Sequence, residues 1–106
     1  MIAQYDLKVG DKIYPLKYNN KALRTLEKQL GMPITKIGRK MQEEEFGINE
    51  LTEILRVGLM HWKPDITIDE ADEIIDEIGL QKVSEAIGKA FELAFAPPKG
   101  TGEQKN

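Results

Sequence analysis

The chain has no cysteine, one histidine and one tryptophan, and these scarcities narrow its chemistry before any pattern is read. Without cysteine there is no disulfide framework and no thiolate metal site, which fits a reducing cytoplasm. A zinc or di-iron centre needs several ligands converging on one point. His61 stands alone, with no second histidine at helical spacing and no Glu-x-x-His pair. We expect it to cap the last carbonyls of a helix or to pack at the core edge. No stretch approaches the ~18 consecutive apolar residues of a membrane span. The opening MIAQYDLKVGDK has no basic region followed by an apolar run, so no signal peptide is expected. Seven aromatics are too few for an aromatic-walled sugar cleft, and neither a Gly-x-Ser-x-Gly elbow nor a phosphate-binding loop occurs. The residues nominate no enzyme and no cofactor.

What is present is a globular composition, 41% apolar and 31% charged, on 106 residues. That length makes one domain able to bury roughly 60–70% of its unfolded surface. The net charge of −3 hides a strong polarity. Residues 1–42 carry nine Lys/Arg against three Asp/Glu, whereas residues 43–96 carry four against fourteen. A chain polarised in this way can pair its halves internally, attract a charged partner or associate head to tail.

The periodicities predict a mainly α (α+β) fold, with a small N-terminal hairpin leading into four to five helices packed as one bundle-like domain over 1–96. A polar, Gly-rich tail, predicted to be flexible, follows over 97–106. Tyr5, Leu7 and Val9 alternate, Gly10-Asp11 turns, and Ile13, Tyr14 and Leu16 resume the apolar pattern to complete a hairpin over about 4–18. Pro15 cannot donate to a ladder and belongs on an edge. Asn19 or Asn20 caps a first helix whose stripe is Leu23, Leu26 and Leu30 and whose stop is Gly31. Pro33 opens a shorter helix with Ile34, Ile37 and Met41 inward, ended by Glu43–Glu45. Ile48, Leu51, Leu55, Leu59 and Trp62, widened by Ile54, Val57 and Met60, predict a central helix stopped by Lys63-Pro64. Thr67-Ile68-Asp69-Glu70 matches a capping box, with Ile68, Ala71, Ile74, Ile75 and Ile78 inward and Gly79 as the stop. A last helix turns Val83, Ile87, Phe91 and Phe95 inward, with Ala86, Ala90 and Ala94 allowing close approach.

Two charged stretches are the candidate binding residues. Asp69 to Glu77 holds six carboxylates in nine residues. It lacks the central glycine and loop period of a calcium-binding loop, so it reads as one wet face of a helix. Asp69/Glu73, Asp72/Asp76 and Glu73/Glu77 are like-charge pairs at i, i+4, each costing roughly 0.2–0.5 kcal/mol. No Lys or Arg lies between Pro64 and Gln81, so something basic is expected to face this surface: the first two helices or another molecule. The basic counterpart is Lys21, Arg24 and Lys28, continued by Lys36, Arg39 and Lys40. That stripe can neutralise phosphates. A small nucleic-acid-binding regulator using residues 21–40 is therefore the alternative reading, opposed by the acidic remainder.

The assembled pattern resembles the small tail assembly chaperones of long-tailed bacteriophages, prophages and gene-transfer agents. Four segments carry the resemblance: Ala22-Leu23-Arg24-Thr25-Leu26-Glu27 running through Leu30-Gly31-Met32-Pro33 after a short hairpin, Leu55-Arg56-Val57-Gly58-Leu59-Met60-His61-Trp62, Thr67 through Gly79, and the Ala-rich final helix leading to the Gly-rich tail. The resemblance implies a non-catalytic role: binding the long helical tape-measure protein in the bacterial host cytoplasm, recruiting tail-tube subunits, and absence from the mature virion. It also implies two product lengths, and Pro97-Pro98-Lys99 can be encoded by a slippery run of C followed by A. Placing the binding surfaces on Asp69, Asp72, Glu73, Asp76 and Glu77 and on Lys21, Arg24 and Lys28 follows from charge rather than from the family.

Overall fold

Gly10-Asp11 closes the N-terminal hairpin as a two-residue loop, with Gly10 at φ +58° in the first central position, as a Gly-X hairpin turn requires. Strands β1 (Tyr5–Val9) and β2 (Lys12–Leu16) pair antiparallel, with Leu7 opposite Tyr14 and Tyr5 opposite Leu16. The computed structural model describes residues 4–95, so the expected tail lies outside the described residues. The register turns Leu7 and Leu16 into the core, while Ile13 pairs with Lys8 on the outer face and is 51% exposed. The apolar pattern of the second strand is thus Tyr14 and Leu16, without Ile13. Pro15 sits on the outer face opposite Asp6, where its missing donor costs no ladder bond to a third strand.

Five helices follow among the described residues: α1 (Asn20–Leu30), α2 (Ile34–Gln42), α3 (Ile48–Leu59), α4 (Ile68–Ile78) and α5 (Leu80–Phe95). The fold is mainly α with a small β-hairpin, as the periodicities predict. Asn19 is the cap of α1, its side chain accepting from the Ala22 amide at 2.9 Å. Gly31 ends that helix in the left-handed region at φ +69°. The Glu27 carboxylate then accepts the free Ile34 amide at 2.8 Å and joins α1 to α2. Glu44, at φ +56°, closes α2: its own amide donates to Met41 and that of Glu45 reaches back to Lys40. This is a Schellman ending with glutamate where glycine is usual.

Helix α3 packs against α1, α4, α5 and β2, while α5 packs against α2, α3, α4 and both strands, so the two helices share the centre. Leu26 of α1 and Ile37 of α2 are sealed in the core with Ile54, Leu55 and Leu59 of α3 and Val83 and Ile87 of α5. Buried Thr52 satisfies its hydroxyl on the Ile48 carbonyl at 2.7 Å. Several expected core positions lie at the rim instead. Helix α3 stops at Leu59, short of Trp62, because the Leu59 carbonyl receives both the Trp62 and Lys63 amides and the chain tightens ahead of Pro64. Trp62 is consequently exposed, and so are residues in the end turns of three helices: Ile48 at the start of α3, Ile68 in the first turn of α4 and Phe95 in the last of α5. Ile66, just before the Thr67 cap, takes the place expected for Ile68. It is 4% exposed and, with buried Ala71, occupies the two positions of a hydrophobic staple.

Tyr18 is the largest fully buried side chain. Its ring meets Phe91 edge-on at 4.7 Å, and its hydroxyl donates to the Ile54 carbonyl at 2.7 Å. The adjoining Lys17 amide donates to the Gly58 carbonyl at 2.9 Å, satisfying one of the acceptors that the end of α3 leaves open. Hairpin and central helix are therefore fastened by one segment, Leu16–Tyr18.

Candidate functional site

The acidic helix divides into two edges. Its N-terminus is held by the expected capping box: the Thr67 hydroxyl accepts from the Glu70 amide at 3.1 Å, and the Thr67 amide donates to the Glu70 carboxylate at 2.9 Å. That carboxylate also pairs with Lys63. At the other end Glu77 pairs with Lys12 at 3.3 Å and accepts from the Tyr14 hydroxyl at 3.2 Å. Glu70, Glu73 and Glu77 line a small cavity of about 200 Å³ shared with Lys12, Tyr14 and Trp62. Trp62 stands edge-on to Tyr14, with ring centroids 6.1 Å apart. The basic groups relieving this helix thus come from the hairpin and from the turn before Pro64, not from α1 or α2 as one expectation had it. The reason is topological: α1 and α2 pack on each other and on α3 and α5, while α4 lies against α3 and α5.

On the outer edge, Asp69, Asp72 and Asp76 are exposed at i, i+3 and i+7 and make no ion pair among the described residues, and the same holds for exposed Glu73. Lys21, Arg24 and Lys28 repeat that arrangement on α1, likewise exposed and without an ion pair among the described residues. Of the eight charge-selected residues, then, only Glu77 makes an ion pair among the described residues. His61 is exposed, and instead of capping the carbonyls of α3 its Nε2 meets the Pro15 carbonyl at 2.8 Å and ties the turn to β2.

The ion pairs shift the groups that make them. Hydrogen bonding to Lys63, then to the Thr67 amide, holds the Glu70 carboxyl below its ordinary range, and Glu70 in turn raises Lys63. Glu77 raises Lys12, and partial burial followed by the Glu77 charge raises the Tyr14 phenol. A carboxyl with a lowered folded pKa contributes stability that is complete above its unfolded pKa and is lost as pH falls through the folded one. Acid unfolding is therefore expected to draw on Glu70 below the usual glutamate range. Glu70→Gln, followed by thermal melts across the acid range, should flatten that part of the stability–pH curve, and an unchanged slope would refute the assignment.

Sequence reading missed Tyr18. Tyr18 carried a signal, because the period-two parity Tyr14, Leu16 extends to it.

Among the described residues, no group of three or more His, Asp or Glu side chains could hold a metal ion, and no helix is long and apolar enough to cross a membrane. The molecular class defined so far is a mainly helical domain with an N-terminal hairpin. Comparison with known proteins finds no matching family model, no matching curated protein and no matching solved structure.

Proposed function

We propose that this protein is a non-enzymatic tail assembly chaperone of the long-tailed phage type, acting in the bacterial host cytoplasm and absent from the finished virion. It binds the tape-measure protein and helps recruit tail-tube subunits as the tube polymerises. The reading is supported by the resemblance of the four segments that fall on α1, α3, α4 and α5. The observation that carries it is a pair of exposed, opposite charge rows, Lys21/Arg24/Lys28 and Asp69/Asp72/Asp76, on two helices that do not neutralise each other within the chain. A long helical client is suited to many weak contacts, and head-to-tail pairing of the two rows would line copies along it.

The competing reading uses the α1 row, with Lys36, Arg39 and Lys40 of α2, on a nucleic acid. Co-expression with the product of an adjacent long helical reading frame separates the two. The chaperone reading expects co-purification with that product and no retention on immobilised DNA or RNA at moderate salt. Retention on nucleic acid without co-purification would overturn it.

A further inference from the structure

The two edges of the hairpin differ in what the rest of the chain does with them. The two-residue loop makes Val9 and Lys12 a hydrogen-bonded pair, so Leu7/Tyr14 and Tyr5/Leu16 are bonded in turn. The residues between them, Asp6 and Lys8 on β1 and Ile13 and Pro15 on β2, therefore turn their backbone groups outward. On β2 that edge is closed. Pro15 has no amide, its carbonyl is taken by His61 at 2.8 Å, and the Lys17 amide next along is bonded to Gly58. On β1 the edge is open. The amides and carbonyls of Asp6 and Lys8 make no hydrogen bond among the described residues, and both residues are exposed.

The charges on the open edge select its partner. Asp6 and Lys8 stand on the outer face of the sheet, two residues apart and opposite in sign. A second β1 laid antiparallel, with Leu7 opposite Leu7, sets Asp6 of each copy against Lys8 of the other. The backbone allows this register, because outward-turned residues then meet outward-turned residues in two hydrogen-bonded pairs. The antiparallel registers displaced by two residues bring Asp6 onto Asp6 or Lys8 onto Lys8, which like charges oppose. Asp6 already accepts from the Gln4 side chain at 2.9 Å through one oxygen, and its other oxygen is free among the described residues. On the inner face Tyr5 meets Val9 of the other copy, and each is half-buried in the single chain. A lone lysine on an edge strand deters pairing. A lysine two residues from an aspartate instead favours the same strand reversed.

We propose that β1 pairs antiparallel with β1 of a second copy about a two-fold axis at Leu7, joining the two hairpins into one four-stranded sheet. The contact is isologous. Main-chain hydrogen bonds hold it, and the two Asp6/Lys8 pairs fix its register. It uses no residue of the α1 and α4 charge rows and does not depend on the tail-assembly reading.

The test uses the full chain carrying Asp72→Asn and Asp76→Asn, which weakens any pairing between the α1 and α4 rows. Sedimentation equilibrium should show a concentration-dependent dimer, and hydrogen exchange of the Asp6 and Lys8 amides should slow as it forms. Adding Asp6→Lys or Lys8→Asp should weaken the dimer roughly tenfold or more, since either change makes both cross-strand pairs repulsive. An equimolar mixture of those two variants should dimerise as tightly as the starting chain, because opposite charges again face each other. Lys8→Pro should abolish the dimer without loss of helix content, as the amide it removes makes no bond within the hairpin. Three results would overturn the proposal. One is a chain still monomeric at about 1 mM, which would leave the edge to an extended segment of a different protein. The others are a mixture that dimerises no better than either variant alone, and a dimer that survives Lys8→Pro.

Discussion

Tyr18→Ala is expected to lower stability by about 3–5 kcal/mol, the cost of truncating a large buried aromatic. The side chain is 1% exposed, packs edge-on against Phe91 and donates to the Ile54 carbonyl. Its removal opens a cavity among β2, α3 and α5 and takes away the anchor of the hairpin, which two strands alone cannot stabilise. Against a typical total of about 5–15 kcal/mol, the variant should be marginal or unfolded at moderate temperature. Tyr18→Phe separates the contributions, since it keeps the ring and loses only the hydrogen bond, for about 1 kcal/mol. Burial also pushes the Tyr18 phenol upward, so it should stay protonated at alkaline pH. Urea melts followed by circular dichroism and by the single tryptophan measure the losses. A Tyr18→Ala cost below that of Tyr18→Phe would contradict the packing described.

The second large effect runs against helix propensity. Alanine is a better helix former than glycine by about 1 kcal/mol, yet Gly58→Ala is expected to destabilise by about 1–3 kcal/mol through overpacking. The new methyl carbon would sit 2.6 Å from Cζ and the hydroxyl oxygen of Tyr18 and 3.0 Å from Leu16 Cδ2. Neither neighbour can retreat easily, because the Lys17 amide between them is bonded to the Gly58 carbonyl. Combining Gly58→Ala with Tyr18→Leu should show coupling, the double variant losing less than the sum, since the smaller side chain makes room. Strict additivity in that cycle would mean the two residues do not touch.

Much of this fold is legible in the sequence because its signals are local. The Thr67/Glu70 capping box, the Gly10-Asp11 turn, the Gly31 stop and the Leu51/Leu55/Leu59 stripe each depend on residues within a few positions of one another, and each appears where the pattern places it. The misplacements concern exposure at element ends. Ile48, Trp62, Ile68 and Phe95 satisfy a helical period, but period alone cannot say that the neighbouring layer stops short of them. Lys12 and Glu77 are 65 residues apart and share no local pattern, so their pairing requires the tertiary fold.

Engagement of Glu77 by Lys12 and Tyr14 narrows the charged surface worth testing to the outer row of α4. The most direct measurement compares the parent chain and an Asp72→Asn/Asp76→Asn variant in co-purification with the tape-measure product, at about 0.1 M and about 1 M salt, where screening lengths are ~10 Å and ~3 Å. The chaperone account predicts a complex at low salt that weakens at high salt and is lost or sharply reduced in the variant, with thermal stability unchanged. A client that binds parent and variant equally at both salt concentrations, or binds neither, would contradict it.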